Sequence, residues 1–66
     1  MKNTIKVERA KLNITQTDLA EGIQVSKQTI HSIETGRFIP STVIALKIAR
    51  FFKVSVESVF ELDPDD

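Results

Sequence analysis

A short phrase recurs in this chain: an apolar residue, a hydroxyl residue and, after three further positions, another apolar residue. It reads Ile14-Thr15 with Leu19, Val25-Ser26 with Ile30, and Val54-Ser55 with Val59. A hydroxyl so placed caps a helix by accepting from a first-turn N–H, and the flanking apolar groups close over it as a staple. Asp18, three residues after Thr15, completes a capping box and suits the positive end of the helix dipole. Gly22-Ile23-Gln24 breaks the first of these helices and Thr35-Gly36 the second, with Gly36 placed as a left-handed cap. The chain is thereby committed to short helices, the first two of about eight residues each. Helices below roughly 12 residues are marginal alone in water, so each has to dock an apolar side on the rest of the chain.

Leu19, Ala20 and Ile23 share the inner side of the first of these helices, and Ile30, Ile33 and Glu34 that of the second. Stepping about 100° per residue from Ile30 puts Gln28 and Ser32 nearly opposite, flanked by Thr29, His31 and Thr35, with Lys27 projecting from the first turn. This outward face carries hydrogen-bonding groups and no acid. It suits a groove lined with donors and acceptors, whereas a site for another helix would show exposed apolar anchors.

At 66 residues the chain is one domain, residues 1–66, at the small end of what folds unaided. No separate ligand-binding domain is expected. There is no Cys and a single His, so neither disulfides nor a metal holds the fold, and no cofactor is expected. An enzyme would need a pocket and an activated nucleophile or paired acid and base, for which short helices in a chain of this size offer no place. His31 and Glu34, three apart on one helix, read as an incidental surface pair. No apolar run approaches a membrane span or a signal-peptide core, which favours the cytoplasm and no membrane partner.

Net charge is zero, but it is unevenly distributed. Residues 1–53 hold all nine Lys and Arg against four acids (Glu8, Asp18, Glu21, Glu34), a net +5, and residues 54–66 hold five acids and no base, −5. The molecule is a charge dipole. The acidic tail 61–66, with Asp63-Pro64-Asp65-Asp66, reads as a solvated segment that aids solubility. The basic part reads as functional.

The remaining segments supply the core. Met1 to Leu12 gives an opening helix after a short lead, with Ile5, Arg9 and Leu12 on one stripe and Val7 and Ala10 beside it. An arginine on an inner stripe asks for a partner, and Glu34 is the acid that faces inward from the second motif helix. The alternative is that both charges snorkel to water. Arg37-Phe38-Ile39-Pro40 is a connection, and Ser41 caps a longer helix to about Lys53, with Ile44, Ala45, Ile48, Ala49, Phe51 and Phe52 forming its inner stripe. Lys47, Arg50 and Lys53 point toward solvent, and Val43 and Leu46 fall outside the stripe. The third staple opens a last helix ending near Phe60 to Leu62. The final residues and Lys2 to Thr4 are able to pair as an extended two-stranded ribbon.

Residues 15 to 40 resemble the helix-turn-helix of the phage Cro and cI repressor type, the XRE family. The matching residues are Thr15, Gln16, Leu19, Ala20, Val25, Ser26, Ile30, Glu34, Gly36 and Pro40. The runs 45–49 and 54–60 resemble that family's fourth and fifth helices. The resemblance implies an all-α, five-helix bundle of the phage-repressor type, with its motif at about 15–35. It also implies the Arg9 and Glu34 pairing, which members of the family often make. One departure stands out: the turn position often held by Gly is Gln24 here, which would be strained by about 1 kcal/mol if it took a positive φ.

The expected function is therefore a transcriptional regulator, more often a repressor in such families, that binds double-stranded DNA with the second motif helix, about 27–35, in the major groove. Lys27 suits guanine O6 and N7, Gln28 the bidentate edge of adenine, and Thr29 and Ser32 several bases or a thymine methyl, with His31 a further base contact. By resemblance, Gln16 takes a backbone phosphate and supports Gln28, and Thr35 and Arg37 take phosphates from the following loop. Ser26 stands between cap and phosphate ligand. A homodimer on a palindromic operator is expected, from the apolar surplus late in the chain and the little sequence that one helix reads. Phe51, Val56 and Phe60 are candidates for its interface, though Val56 and Phe60 equally suit the monomer core. The rival reading is a protein-interaction module, such as an antitoxin whose main partner is another protein.

Overall fold

Every predicted cap is made. In the computed structural model, which describes residues 1–66, five helices follow in order: α1 (Ile5–Leu12), α2 (Gln16–Ile23), α3 (Lys27–Glu34), α4 (Thr42–Phe52) and α5 (Val56–Val59). Two short strands, β1 (Lys2–Asn3) and β2 (Phe60–Glu61), pair antiparallel with Lys2 opposite Glu61 and Asn3 opposite Phe60. Thr15 Oγ1 accepts from the Asp18 N–H at 3.0 Å while the Asp18 carboxylate accepts from the Thr15 N–H at 2.9 Å, a reciprocal capping box. Ser26, Ser41 and Ser55 cap α3, α4 and α5 through the N–H groups of Thr29, Ile44 and Ser58. Thr4 caps nothing with its side chain. Asn3 does that work instead: its Oδ1 accepts from the Ile5 N–H at 3.2 Å and its Nδ2 donates to the Ile33 carbonyl at 3.0 Å, joining the start of α1 to the end of α3.

Four helices end alike. After α1, α2, α3 and α4 the chain turns through a left-handed residue, Asn13 (φ 56°), Gln24 (φ 63°), Gly36 (φ 80°) and Lys53 (φ 59°). The next N–H then reaches back five residues, as in Val25 to Ala20 at 2.9 Å and Arg37 to Ser32 at 2.9 Å. In three of these closures the residue that donates, Ile14, Val25 or Val54, is also the apolar residue ahead of the next hydroxyl cap, and each packs half-buried on the core. One helix's closure is thus the next helix's staple.

The core draws on every helix: Ile5, Leu19, Ala20, Ile23, Ile30, Ile33, Ile48, Phe52 and Val59, joined by Phe60 from β2. Gly22 leaves room on α2 for the Phe51 ring of α4, which any Cβ there would meet. Phe51 in turn stands edge-to-face on Phe52, with ring centroids 5.3 Å apart. No helix is long and apolar enough to cross a membrane.

Three sequence expectations need correction. Leu12, Val7 and Ala10 lie exposed, because Ile5 and Arg9 take the inward positions of α1 and the helix closes at Asn13. The last helix is a single turn that stops at Val59, since pairing with β1 draws Phe60 and Glu61 into an extended strand. The acidic tail is not wholly free in solvent, for the Met1 ammonium donates to Asp63 at 2.9 Å and lies 3.0 Å from Asp66.

Candidate nucleic-acid interface

The outward face of α3 is usable only if the helix is held rigidly from behind. Ile30 and Ile33 are fully buried beneath it. One helical position further round, Glu34 receives Arg9 in a fork, Nε to Oε2 at 2.6 Å and Nη2 to Oε1 at 3.1 Å, while Arg9 Nη1 donates to the Ile14 carbonyl at 3.1 Å. The two side chains are only 15% and 8% exposed, so both charges are largely out of water and each depends on the other. The hydrogen bond to Glu34 holds the Arg9 guanidinium above the usual arginine range, against the opposing effect of burial. One fork therefore ties together α1, the α1–α2 linker and α3.

Gln16 extends this network. From the first position of α2 its Nε2 donates to Glu34 Oε1 at 3.2 Å and lies 3.4 Å from His31 Nδ1. The Gln16 amide nitrogen only donates, so Nδ1 faces a donor and Nε2 is turned away from Gln16. The amide of Gln16 thus supports His31 and Glu34; Gln28, which it was expected to support, is not its partner.

Around this mount the expected base-reading residues gather on one face. Lys27, Gln28 and His31 are exposed, and Thr29 and Ser32 are half-buried. Gln16 and His31 lie along one flank. On the other flank Arg37 and Phe38 border a shallow hollow whose remaining walls are Gln28, Thr29 and Ser32. Ser26 is engaged as the cap of α3, and its Oγ also lies 2.8 Å from Thr29 Oγ1. Thr35 turns its hydroxyl back to the His31 and Ser32 carbonyls, at 2.9 and 3.3 Å. Arg37 is exposed and makes no hydrogen bond through its guanidinium.

Of the three residues expected at a dimer interface, Val56 and Phe60 line one groove and Phe51 lies apart from them. Phe51 lies over Gly22 beside Lys47 and Arg50, while Val56 and the largely buried Phe60 line an apolar groove on the other flank of α4 with Ile39, Pro40, Ala45 and Leu46. Lys47, expected in solvent, is half-buried with its ammonium 3.5 Å from the Ile23 carbonyl at the negative end of α2. Sequence reading missed Asn3, whose signal was an Asn two residues ahead of a helix's first apolar residue. It also passed over Ile39 and Phe38, large apolar residues in a connection where no periodic stripe claims them.

Comparison with known proteins gives the family. The helix-turn-helix family model matches residues 5–59. An uncharacterised HTH-type transcriptional regulator of Methanocaldococcus jannaschii is 48% identical over 66 residues, covering 100% of both chains. One from Bacillus subtilis is 39% identical with the same coverage, and one from Archaeoglobus fulgidus is 41% identical over 100% of this chain and 93% of its own. With its caps, its αL turn at Gln24 and its acid-free outer face on α3, the chain belongs to the XRE, or Cro/cI-type, helix-turn-helix family of DNA-binding transcriptional regulators.

Proposed function

We propose that the protein is a sequence-specific repressor that binds a palindromic operator as a homodimer, with α3 of each copy in the major groove. The observation that carries this reading is the outward face of α3, exposed, polar and without an acid, on a helix that the Arg9–Glu34 fork and two buried isoleucines hold fixed. Lys27 addresses guanine O6 and N7, and Gln28 pairs with the edge of adenine; Thr29, His31 and Ser32 reach neighbouring bases, His31 through Nε2. Arg37 takes a phosphate on one flank and Gln16, at the positive end of α2, takes one on the other. Ser26 caps and binds at once, its oxygen accepting from the Thr29 N–H and its O–H donating to a phosphate, and Thr35 donates to a phosphate by turning its hydroxyl off the His31 and Ser32 carbonyls. Repression then needs nothing beyond occupancy of the operator.

The second copy sits against Val56. That residue belongs to an apolar surface with Ile39 and Leu46, which are 65% and 53% exposed. The surface begins in the loop that leaves α3, so pairing across it sets two recognition helices on one side of a duplex. Phe60 borders the same groove from β2, and Phe51 acts from the other flank of α4 by fixing that helix. A rival protein-interaction module would carry its apolar anchors on α3, whose apolar residues are buried.

Selection from a random duplex library tests the reading. The expected result is a palindromic motif with half-sites about one helical turn, roughly 10 base pairs, apart. Failure to enrich any sequence would overturn it.

A further inference from the structure

Phe38 is 46% exposed and is not among the side chains packed on the core. It stands at the edge of the polar face: with Arg37, Gln28, Thr29 and Ser32 it lines a hollow of about 360 Å³, and on its other side it borders a smaller, mostly apolar hollow with Ile33, Ile39 and Phe60. Its place is fixed, because the N–H groups of Arg37 and Phe38 both donate to the Ser32 carbonyl, at 2.9 and 3.2 Å. The loop is thereby bound to the last turn of α3, and the phenyl ring moves with the recognition helix. A large apolar group held beside a glutamine on a polar face has one partner of matching chemistry in the major groove. In an A·T pair whose adenine is read through N6 and N7, the thymine presents its C5-methyl in the same groove.

We propose that Phe38 is a specificity-determining residue that receives a thymine C5-methyl beside the base read by Gln28. This rests on the DNA-binding reading of α3 and adds to it a reader outside the helix. The polar residues of α3 distinguish bases by hydrogen bonds; Phe38 distinguishes thymine from cytosine, and from uracil, by a methyl group alone. The ring is 46% exposed and touches the core only at its edge, beside Ile33 and Phe60, so its removal should cost little stability.

The test is a scan in which each thymine of the selected operator is replaced by deoxyuridine, which lacks only the methyl. For the parent protein one symmetric pair of positions should show an affinity loss of about fourfold per half-site, the worth of one buried methyl-sized group. Phe38→Ala should bind the thymine operator less tightly by a similar factor and ignore the same replacement, while Phe38→Leu should keep part of the sensitivity. Thermal melts of both variants should lie near the parent. Full retention of the uracil penalty in Phe38→Ala would overturn the proposal. So would equal weakening on operator and scrambled duplexes, which marks a sugar contact, or a change in sedimentation mass, which marks a dimer contact. If no thymine shows a penalty while Gln28→Ala alters base preference, only the Phe38 assignment fails. If selection yields no operator, the DNA reading and this inference fall together.

Discussion

Gln24 holds φ 63° in the turn between α2 and α3, a conformation that costs an L-residue roughly 1–2 kcal/mol and glycine nothing. The closure made by Val25 and the cap made by Ser26 fix the turn on either side, so the packing of α3 imposes the strain and Gln24 bears it. Gln24→Gly should stabilise the domain by about 0.5–1 kcal/mol after the entropy of the unfolded glycine is counted, and Gln24→Val should destabilise it by more than 1 kcal/mol. Urea melts of the two variants compare them directly, and a Gly variant no more stable than the parent would show that the turn stores no strain. Arg9 and Glu34 operate at the same scale with the opposite sign. Replacing either alone leaves a charge facing a largely dry site and frees the Ile14 carbonyl or the Gln16 amide. Each of Arg9→Met and Glu34→Leu should therefore cost about 3 kcal/mol, a large share of the roughly 3–10 kcal/mol typical of so short a chain. The double variant should cost clearly less than the sum, and additive losses in denaturant melts would show the fork to be uncoupled.

At the scale of elements, β1 and β2 are too short to persist on their backbone bonds alone, and charge clasps their ends. The Met1 ammonium meets Asp63 and Asp66, and Lys2 lies within 4 Å of both Glu61 and Asp63 (3.8 and 3.9 Å). Hydrogen bonds to Asp63 and Asp66 raise the Met1 amine above the ordinary α-amino range, so its contribution is full below that range and is lost as pH rises through the raised value. The Asp66 carboxyl is lowered, first by the Asp63 N–H and then by the Met1 amine, so its contribution is present above the ordinary carboxylate range and is lost as pH falls through the lowered value. The ribbon should thus be best protected between about pH 4 and pH 8 and fray outside that window, as amide exchange at Thr4, whose N–H donates to the Val59 carbonyl, would report. Acetylation of Met1 should leave no alkaline loss of protection to observe; an unchanged alkaline limb would exclude the clasp. Helix starts, the fork and the outer face of α3 were all legible in the sequence, because caps and helical periodicity are local and Arg9 and Glu34 both fall on inward stripes. The length of α5, the placement of Leu12 and the Asn3 bridge were not, because each depends on which distant segment reaches that place first. Gln24 lies between these cases: its neighbours marked a turn, but only the packing of α3 selected the left-handed one.

At the scale of the whole molecule, one recognition helix reads little DNA, and a second copy paired across the apolar surface at Ile39, Leu46 and Val56 would supply another. Leu46 is the residue to change, since it is 53% exposed, faces away from the core stripe of α4 and lies on a different element from α3. Leu46→Glu should therefore melt close to the parent while placing a carboxylate in the middle of an apolar contact, where two copies would bring two such charges together. Sedimentation at tens of micromolar should shift from dimer to monomer. Operator affinity should fall by about a hundredfold or more, because the second half-site is no longer held at high effective concentration. The dependence of binding on salt should also flatten to about half its parental slope, since one subunit releases half the phosphate counterions of two. Gln28→Ala separates this effect from base reading: it should stay dimeric, keep the parental salt slope and lose base preference at one symmetric pair of positions. Arg37→Ala should stay dimeric too, yet weaken operator and scrambled duplexes alike, with a slope shallower by about one counterion per subunit. If Leu46→Glu remained a dimer with unchanged affinity, the second copy would have to sit elsewhere on the molecule. If the parent itself sedimented as a monomer under these conditions, the palindromic operator would lose its physical basis, and a single α3 would have to supply all of the specificity.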